Sequence, residues 1–117
     1  MWDYREFFQA YIACAHWLLP EEYKAIDIDR CGSKRKMAKD CRAFLADVAA
    51  AGCGWEGWTA EQAGHDFFLT RNGHGAGFWD RYWNETELAA RGDALTKLCR
   101  PHGDTNEYVL KGRWYSE

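Results

Sequence analysis

One fifteen-residue run constrains this chain more than any other: Asp66-Phe67-Phe68-Leu69-Thr70-Arg71-Asn72-Gly73-His74-Gly75-Ala76-Gly77-Phe78-Trp79-Asp80. It crowds large aromatic rings, three glycines and several hydrogen-bonding side chains into a stretch that a simple turn would not need. Asn-Gly is a strong short-range hairpin signal, because both residues tolerate positive φ. The run therefore predicts two strands, Phe67–Thr70 and Phe78–Trp83, joined by a glycine-rich loop. A two-residue turn at Asn72-Gly73 would set Phe68 opposite Gly77 and Phe67 opposite Phe78. A longer loop through Gly75 fits equally well. Trp79 and Trp83 share parity and would occupy one strand face, packed on helices.

The flanking sequence reads as helices. Over 3–18, Tyr4, Phe7, Phe8, Tyr11, Ile12, Ala15 and Leu18 recur at helical spacing, and Pro20 closes the segment. Ser33 is suited to cap a helix over 34–51 with an apolar face of Met37, Cys41, Phe44, Leu45 and Val48, ended by Gly52. Thr59 and Gln62 have capping-box spacing, opening a short turn that Gly64 would end. Asn84 and Glu87 predict the start of a third long helix reaching Cys99. Residues 107–110 and 113–115 read as short strands around Lys111-Gly112. The sum is an α+β fold over one domain, 1–117: two or three helices packed on a small antiparallel sheet built around the central hairpin.

Composition narrows the class. At 117 residues, with 47% hydrophobic and 28% charged residues, the chain can bury a core without staples. Aromatic residues make up 16%, with seven tryptophans, so some rings are expected at the surface. The net charge of −3 argues against nucleic-acid binding through global charge. Six basic residues nevertheless gather over 30–42 against the single acid Asp40. Five cysteines without CxxC spacing suggest reduced thiols and a cytoplasmic setting. Cys14 and Cys41 fall on apolar helix faces, and Cys53 is the one expected to be exposed. No apolar run approaches the ~20 residues that cross a bilayer.

The core of the run, Leu69-Thr70-Arg71-Asn72-Gly73-His74-Gly75-Ala76-Gly77-Phe78-Trp79-Asp80, resembles one carried by a family of small bacteriophage and prophage proteins. In those proteins, as here, a Leu-Thr helix and a short strand-rich tail follow. The resemblance is close over about residues 59–115 and looser over the N-terminal helices. It implies a phage-encoded accessory protein in the host bacterial cytoplasm, of a kind that often blocks host defences or redirects host machinery.

The candidate binding set follows from side-chain chemistry: Arg71, Asn72, Gly73, His74, Gly75, Trp79 and Asp80. The glycines permit close approach of a partner's backbone or a phosphate, and successive amides in such a loop can form an anion nest. Arg71 offers a bidentate donor fork, and His74 a donor or a proton. Trp79 or Trp83 would supply an apolar anchor. The plainer reading is a tight hairpin whose polar groups bond its own backbone. Asp66 and Asp80 flank the hairpin and could cap it or cradle Arg71 or Arg81. Lys34, Arg35, Lys36 and Lys39 form a second, basic patch. Lys34, Arg35 and Lys36 oppose the helix dipole at ~0.3–1 kcal/mol per well-placed charge, which favours a docking role or a solvated face.

Three functions fit. The first is a binding module that occupies a host bacterial protein, such as a defence component. The second is a sequestering binder of a phosphate-bearing signal nucleotide. The third is a small hydrolase using Asp66, His74 or Arg71. No cofactor, catalytic metal or membrane partner is implied, and a second copy of the chain is a further candidate partner.

Overall fold

The computed structural model describes residues 1–82 and 85–117. Helix α1 (Tyr4–Trp17) starts where the Asp3 carboxylate accepts the Glu6 N–H at 3.0 Å, satisfying one of the free donors of a first turn. Of its buried positions, Phe7, Ala10, Tyr11, Cys14 and Ala15 repeat at helical spacing and form one stripe, with Ile12 buried beside it. Two 3-10 turns, Glu21–Tyr23 and Ile28–Arg30, lead to α2 (Lys34–Ala51). The α2 face is Met37, Cys41, Phe44, Leu45 and Val48, and Gly52 ends the helix at φ 64°. Ser33 occupies the cap position but caps nothing. Its hydroxyl instead accepts the Ser116 N–H at 3.1 Å.

The segment predicted as the first central strand is helical. Helix α3 (Ala60–Arg71) opens with Thr59 Oγ1 accepting the Gln62 N–H at 3.0 Å and runs through Gly64. Asn72-Gly73 is its end and not a hairpin turn. The Gly73 N–H bonds Thr70 O at 3.2 Å and the His74 N–H bonds Leu69 O at 3.0 Å, the paired bonds of a Schellman cap, with Gly73 at φ 70° in the left-handed position. Phe78–Asp80 is a 3-10 turn, so Trp79 lies on no strand; Trp83 and Asn84 lie outside the described residues. Helix α4 spans Thr86–Cys99, followed by a 3-10 turn at Arg100–His102.

Gly64 stays inside α3 because α1 crosses there. A Cβ at this position would lie 2.2 Å from Phe7 O and 3.0 Å from Ala10 Cβ. Removing the side chain lets two helix backbones approach closely, and α1 makes its most extensive packing with α3. Phe67 and Phe68 are both fully buried on that seam. Phe44 stacks on Phe67 with ring centroids 4.2 Å apart, Phe7 lies 6.0 Å from both, and Phe78 completes the group 5.8 Å from Phe44. Such pairs add about 0.5–1.5 kcal/mol each beyond area burial.

The sheet is the C-terminal hairpin. Strands β1 (Glu107–Leu110) and β2 (Arg113–Ser116) pair antiparallel, with Tyr108 opposite Tyr115 and Val109 opposite Trp114. Lys111 and Gly112 have φ 52° and 76°, both positive as a type I′ turn requires. Trp114, fully buried, donates its indole N–H to Ile28 O at 3.0 Å, and its carbonyl accepts the Gly32 N–H at 2.8 Å. The hairpin thereby fastens residues 28–33 to the body. The chain is thus α+β, with its sheet at the C-terminal end and not around residues 72–73. No helix among the described residues is long and apolar enough to cross a membrane.

Candidate functional site

Only part of the predicted binding set reaches the surface. Arg71 sits in the last turn of α3 with its side chain 2% exposed. Its Nε donates to Gly103 O at 2.7 Å, Nη2 to His102 O at 2.6 Å, and Nη1 to the Tyr11 hydroxyl at 3.0 Å and Asp40 Oδ2 at 2.9 Å. One guanidinium thus ties α1, α2 and α3 to the turn after α4. A planar fork with five donors can serve four acceptors in such an arrangement; a lysine cannot. Arg71 is a structural hub and presents no fork to a partner.

Asn72 also points inward. Its Nδ2 donates to Phe68 O at 3.0 Å, and its Oδ1 accepts the Thr105 N–H at 2.7 Å. Gly73 closes the helix. Past it, the loop turns back over α3, and Gly77 allows this: a Cβ there would lie 2.3 Å from Thr70 Oγ1. Thr70 Oγ1 accepts the Phe78 N–H at 3.1 Å, and Asp80 Oδ1 accepts the Gly77 N–H at 2.9 Å. The polar groups at both feet of the loop are consumed in bracing it.

What remains outward is smaller. His74 and Gly75 are exposed at the crest, and a side chain at Gly75 would meet open space. The His74 ring lies over Phe68, centroids 6.3 Å apart. Trp79 is 46% exposed on the returning arm, its indole nitrogen 3.4 Å from the Cβ position of Gly77.

Asp66 and Asp80 do not meet across a hairpin. Asp66 is fully buried and accepts Arg81 Nη2 at 2.7 Å and the Trp58 indole N–H at 3.0 Å. Trp58 O in turn accepts the Trp2 indole N–H at 2.8 Å. The Asp66 hydrogen bond raises the Arg81 pKa further above its ordinary value, against the effect of partial burial. Arg81 is the cation that Asp66 cradles, and the arm after the loop is pinned to α3 through it.

Asp40 is shared between the hub and the surface, with Lys36 Nζ 2.9 Å away. Burial alone would push its carboxyl up, but the hydrogen bonds from Lys36 and Arg71 outweigh that and hold the pKa below the ordinary carboxylate value. A carboxyl with a lowered folded-state pKa stabilises the fold fully above about pH 4, and the contribution is lost as pH falls through the folded value. Asp40→Asn is therefore expected to be less stable than wild type at pH 7 and to flatten the acid limb of stability against pH. Urea titrations from pH 2 to pH 7 measure this, and an unchanged acid limb would remove Asp40 from the account.

The basic patch is exposed as expected at Lys34, Arg35, Lys36 and Lys39. Cys14, Cys31, Cys41 and Cys99 are buried and Cys53 is half-buried; all five are free thiols. Burial pushes the Cys14 thiol up to about 12, so it stays protonated. Among the described residues, no group of three or more His, Cys, Asp or Glu side chains could hold a metal ion. A cleft of about 350 Å³ lies between the end of α3 and the end of α4, lined in part by Asn72, Thr96, Arg100 and Asp104. That is at the lower end of small-ligand sites.

Fold and site together define an α+β domain that displays one braced glycine loop. No protein-family model, no curated protein and no solved structure matches the chain.

Proposed function

We propose that this protein is a binding module that acts by occupying a partner protein, which it meets through the His74–Gly75 crest and Trp79. The observation that carries this is an exposed tryptophan on an irregular loop whose feet are fixed by hydrogen bonds to Thr70, Asp80 and Thr105. A loop already ordered before contact loses little further entropy on binding. Exposed tryptophan is among the residues that most often dominate interface energy. The resemblance to phage proteins makes a bacterial host protein the partner, in the cytoplasm, with interference in host defence as the outcome. A phosphate ligand is the weaker fit. Arg71, the cation it would need, is spent inside the protein, and the neighbouring cleft sets Asp104 beside Arg100.

The test is quantitative capture from bacterial lysate followed by titration of the captured protein. Trp79→Ala is expected to weaken binding by at least about 2 kcal/mol, some thirtyfold, and His74→Ala by less. Both variants should melt within a few degrees of wild type, as exposed substitutions do. Trp17→Ala, 70% exposed elsewhere, should bind normally. Wild-type affinity in Trp79→Ala would sink the proposal.

A further inference from the structure

The outer face of the C-terminal hairpin is unexplained by the fold. Strand alternation puts Trp114 and Ser116 inward, where both are fully buried, and leaves Tyr108, Leu110, Arg113 and Tyr115 on the other side. Tyr108 and Tyr115 stack with centroids 5.0 Å apart and ring planes 13° from parallel, yet neither belongs to the hydrophobic core. Tyr115 lies against the backbone of residue 32; a Cβ on Gly32 would be 2.2 Å from its Cε2. One end of the two-ring stack is thus closed by Gly32. Tyr108 stands on β1, is half-buried, and among the described residues stacks on no ring besides Tyr115.

Folding brings cations from three separate stretches of sequence to this hairpin. Arg30 Nη2 lies 3.9 Å from the Cβ position of Gly112, which places its guanidinium beside the turn bearing Lys111 and Arg113. The Gly32-to-Trp114 and Ser116-to-Ser33 hydrogen bonds bring up the first turn of α2, with Lys34 and Arg35. All five cations are exposed, and none is in an ion pair among the described residues. The acids nearby are Asp27, which caps the Asp29 N–H, Asp29 itself, which lines one cleft with Lys34, Glu107, which accepts the Ser116 hydroxyl on the inner face, and Glu117, which accepts the Tyr108 hydroxyl. In a chain of net charge −3, the five cations of this face still outnumber its acids, and they stand beside the half-buried ring of Tyr108. Apolar burial does not require that pairing. Single-stranded nucleic acid does, because each unpaired base offers a π-face to stack and each phosphate a charge to neutralise.

We infer that the hairpin's outer face binds single-stranded nucleic acid, with a base stacked on Tyr108 and phosphates on Arg30, Lys111 and Arg113. This surface is distinct from the Trp79 loop and stands whether or not that loop binds a protein.

The experiment is fluorescence anisotropy of a labelled oligothymidylate of roughly 20 nucleotides titrated with the whole chain, starting at about 50 mM NaCl. Binding should weaken with salt, with a log–log slope of about −2 to −3.5 for three to five phosphate contacts. Tyr108→Ala should lose about tenfold in affinity, while Tyr108→Phe, which keeps the ring, should stay within about twofold. Arg30→Glu combined with Arg113→Glu should abolish binding, and Trp79→Ala should leave it unchanged. Melting curves of each variant confirm that it is folded. Absence of binding by wild type at the lowest salt would overturn the inference. So would binding that Tyr108→Ala leaves intact and polyglutamate competes away, since the face would then recognise an acidic protein.

Discussion

Gly64→Ala is expected to destabilise the protein by about 3 kcal/mol or more and to lower its melting temperature by about 10 °C or more. The usual effect has the opposite sign, because alanine is preferred over glycine inside a helix by about 1 kcal/mol. Here the added methyl meets Phe7 O at 2.2 Å. A carbonyl oxygen of a neighbouring helix cannot rotate away as a side-chain tip can. Helices α1 and α3 would have to separate, opening the seam on which Phe7, Tyr11, Phe67 and Phe68 are fully buried. Gly75→Ala is the matched control. Nothing lies within 4 Å of its Cβ position and its φ is not left-handed, so the change should be under about 1 kcal/mol. Thermal melts of the two variants decide the matter. A Gly64→Ala protein as stable as wild type would mean that the helices do not cross at this residue.

Arg71→Ala is the second large effect, expected to cost about 3 kcal/mol or more, at about 1–3 kcal/mol for each buried acceptor left unpaired, out of a total that for a domain of this size is about 5–15 kcal/mol. The loss comes from what stays behind. The Tyr11 hydroxyl and the carbonyls of Gly103 and His102 lose their donor, while Asp40 keeps Lys36. Arg71→Lys retains a charge beside Asp40 but cannot reach four acceptors, and an intermediate loss of about 1–3 kcal/mol follows from the groups left unpaired. Urea unfolding should show a lower midpoint at constant slope for both. An Arg71→Ala protein with wild-type stability and no partner binding would instead make Arg71 an exposed anchor.

The helices over 4–17 and 34–51 and the terminal hairpin were legible because each carries its own period and stop. The middle of the chain misleads for a definite reason. An Asn-Gly pair with glycine at positive φ serves a type I′ turn and a helix C-cap equally well. What separates the two is the flanking pattern. Phe67 and Phe68 are adjacent and both fully buried, which a strand with one face on the core does not allow. In β2, by contrast, burial alternates from Arg113 to Ser116. The positions Ala60, Ala63, Gly64, Phe67, Phe68 and Arg71 have helical spacing, but Gly64 reads locally as a stop. Its real role depends on α1, more than fifty residues earlier in the sequence.

The role of Arg71 was illegible for another reason. Two of its four acceptors are backbone carbonyls, which carry no residue identity, and its partners lie 31 to 60 positions away. A sequence shows that an arginine flanks a glycine loop; it does not show that the guanidinium is already occupied. His74, Gly75 and Trp79, by contrast, are exposed.

The anchoring of Trp114 also sets a timetable for assembly. Its indole reaches Ile28 across 86 residues, and Ser116 reaches Ser33 across 83. Closing a loop of that length costs about 4 kcal/mol in chain entropy, and contacts so distant in sequence slow folding. During translation, the segment that joins the first two helices emerges early and can bond α1 through His16 and Ile26, yet residues 28–33 lack their Trp114 and Ser116 partners until the ribosome has made the hairpin. Until then the nascent chain shows the apolar surface that Trp114 will cover. This is the interval in which a chaperone would engage it or aggregation would begin, and it lengthens wherever elongation pauses between residues 33 and 114.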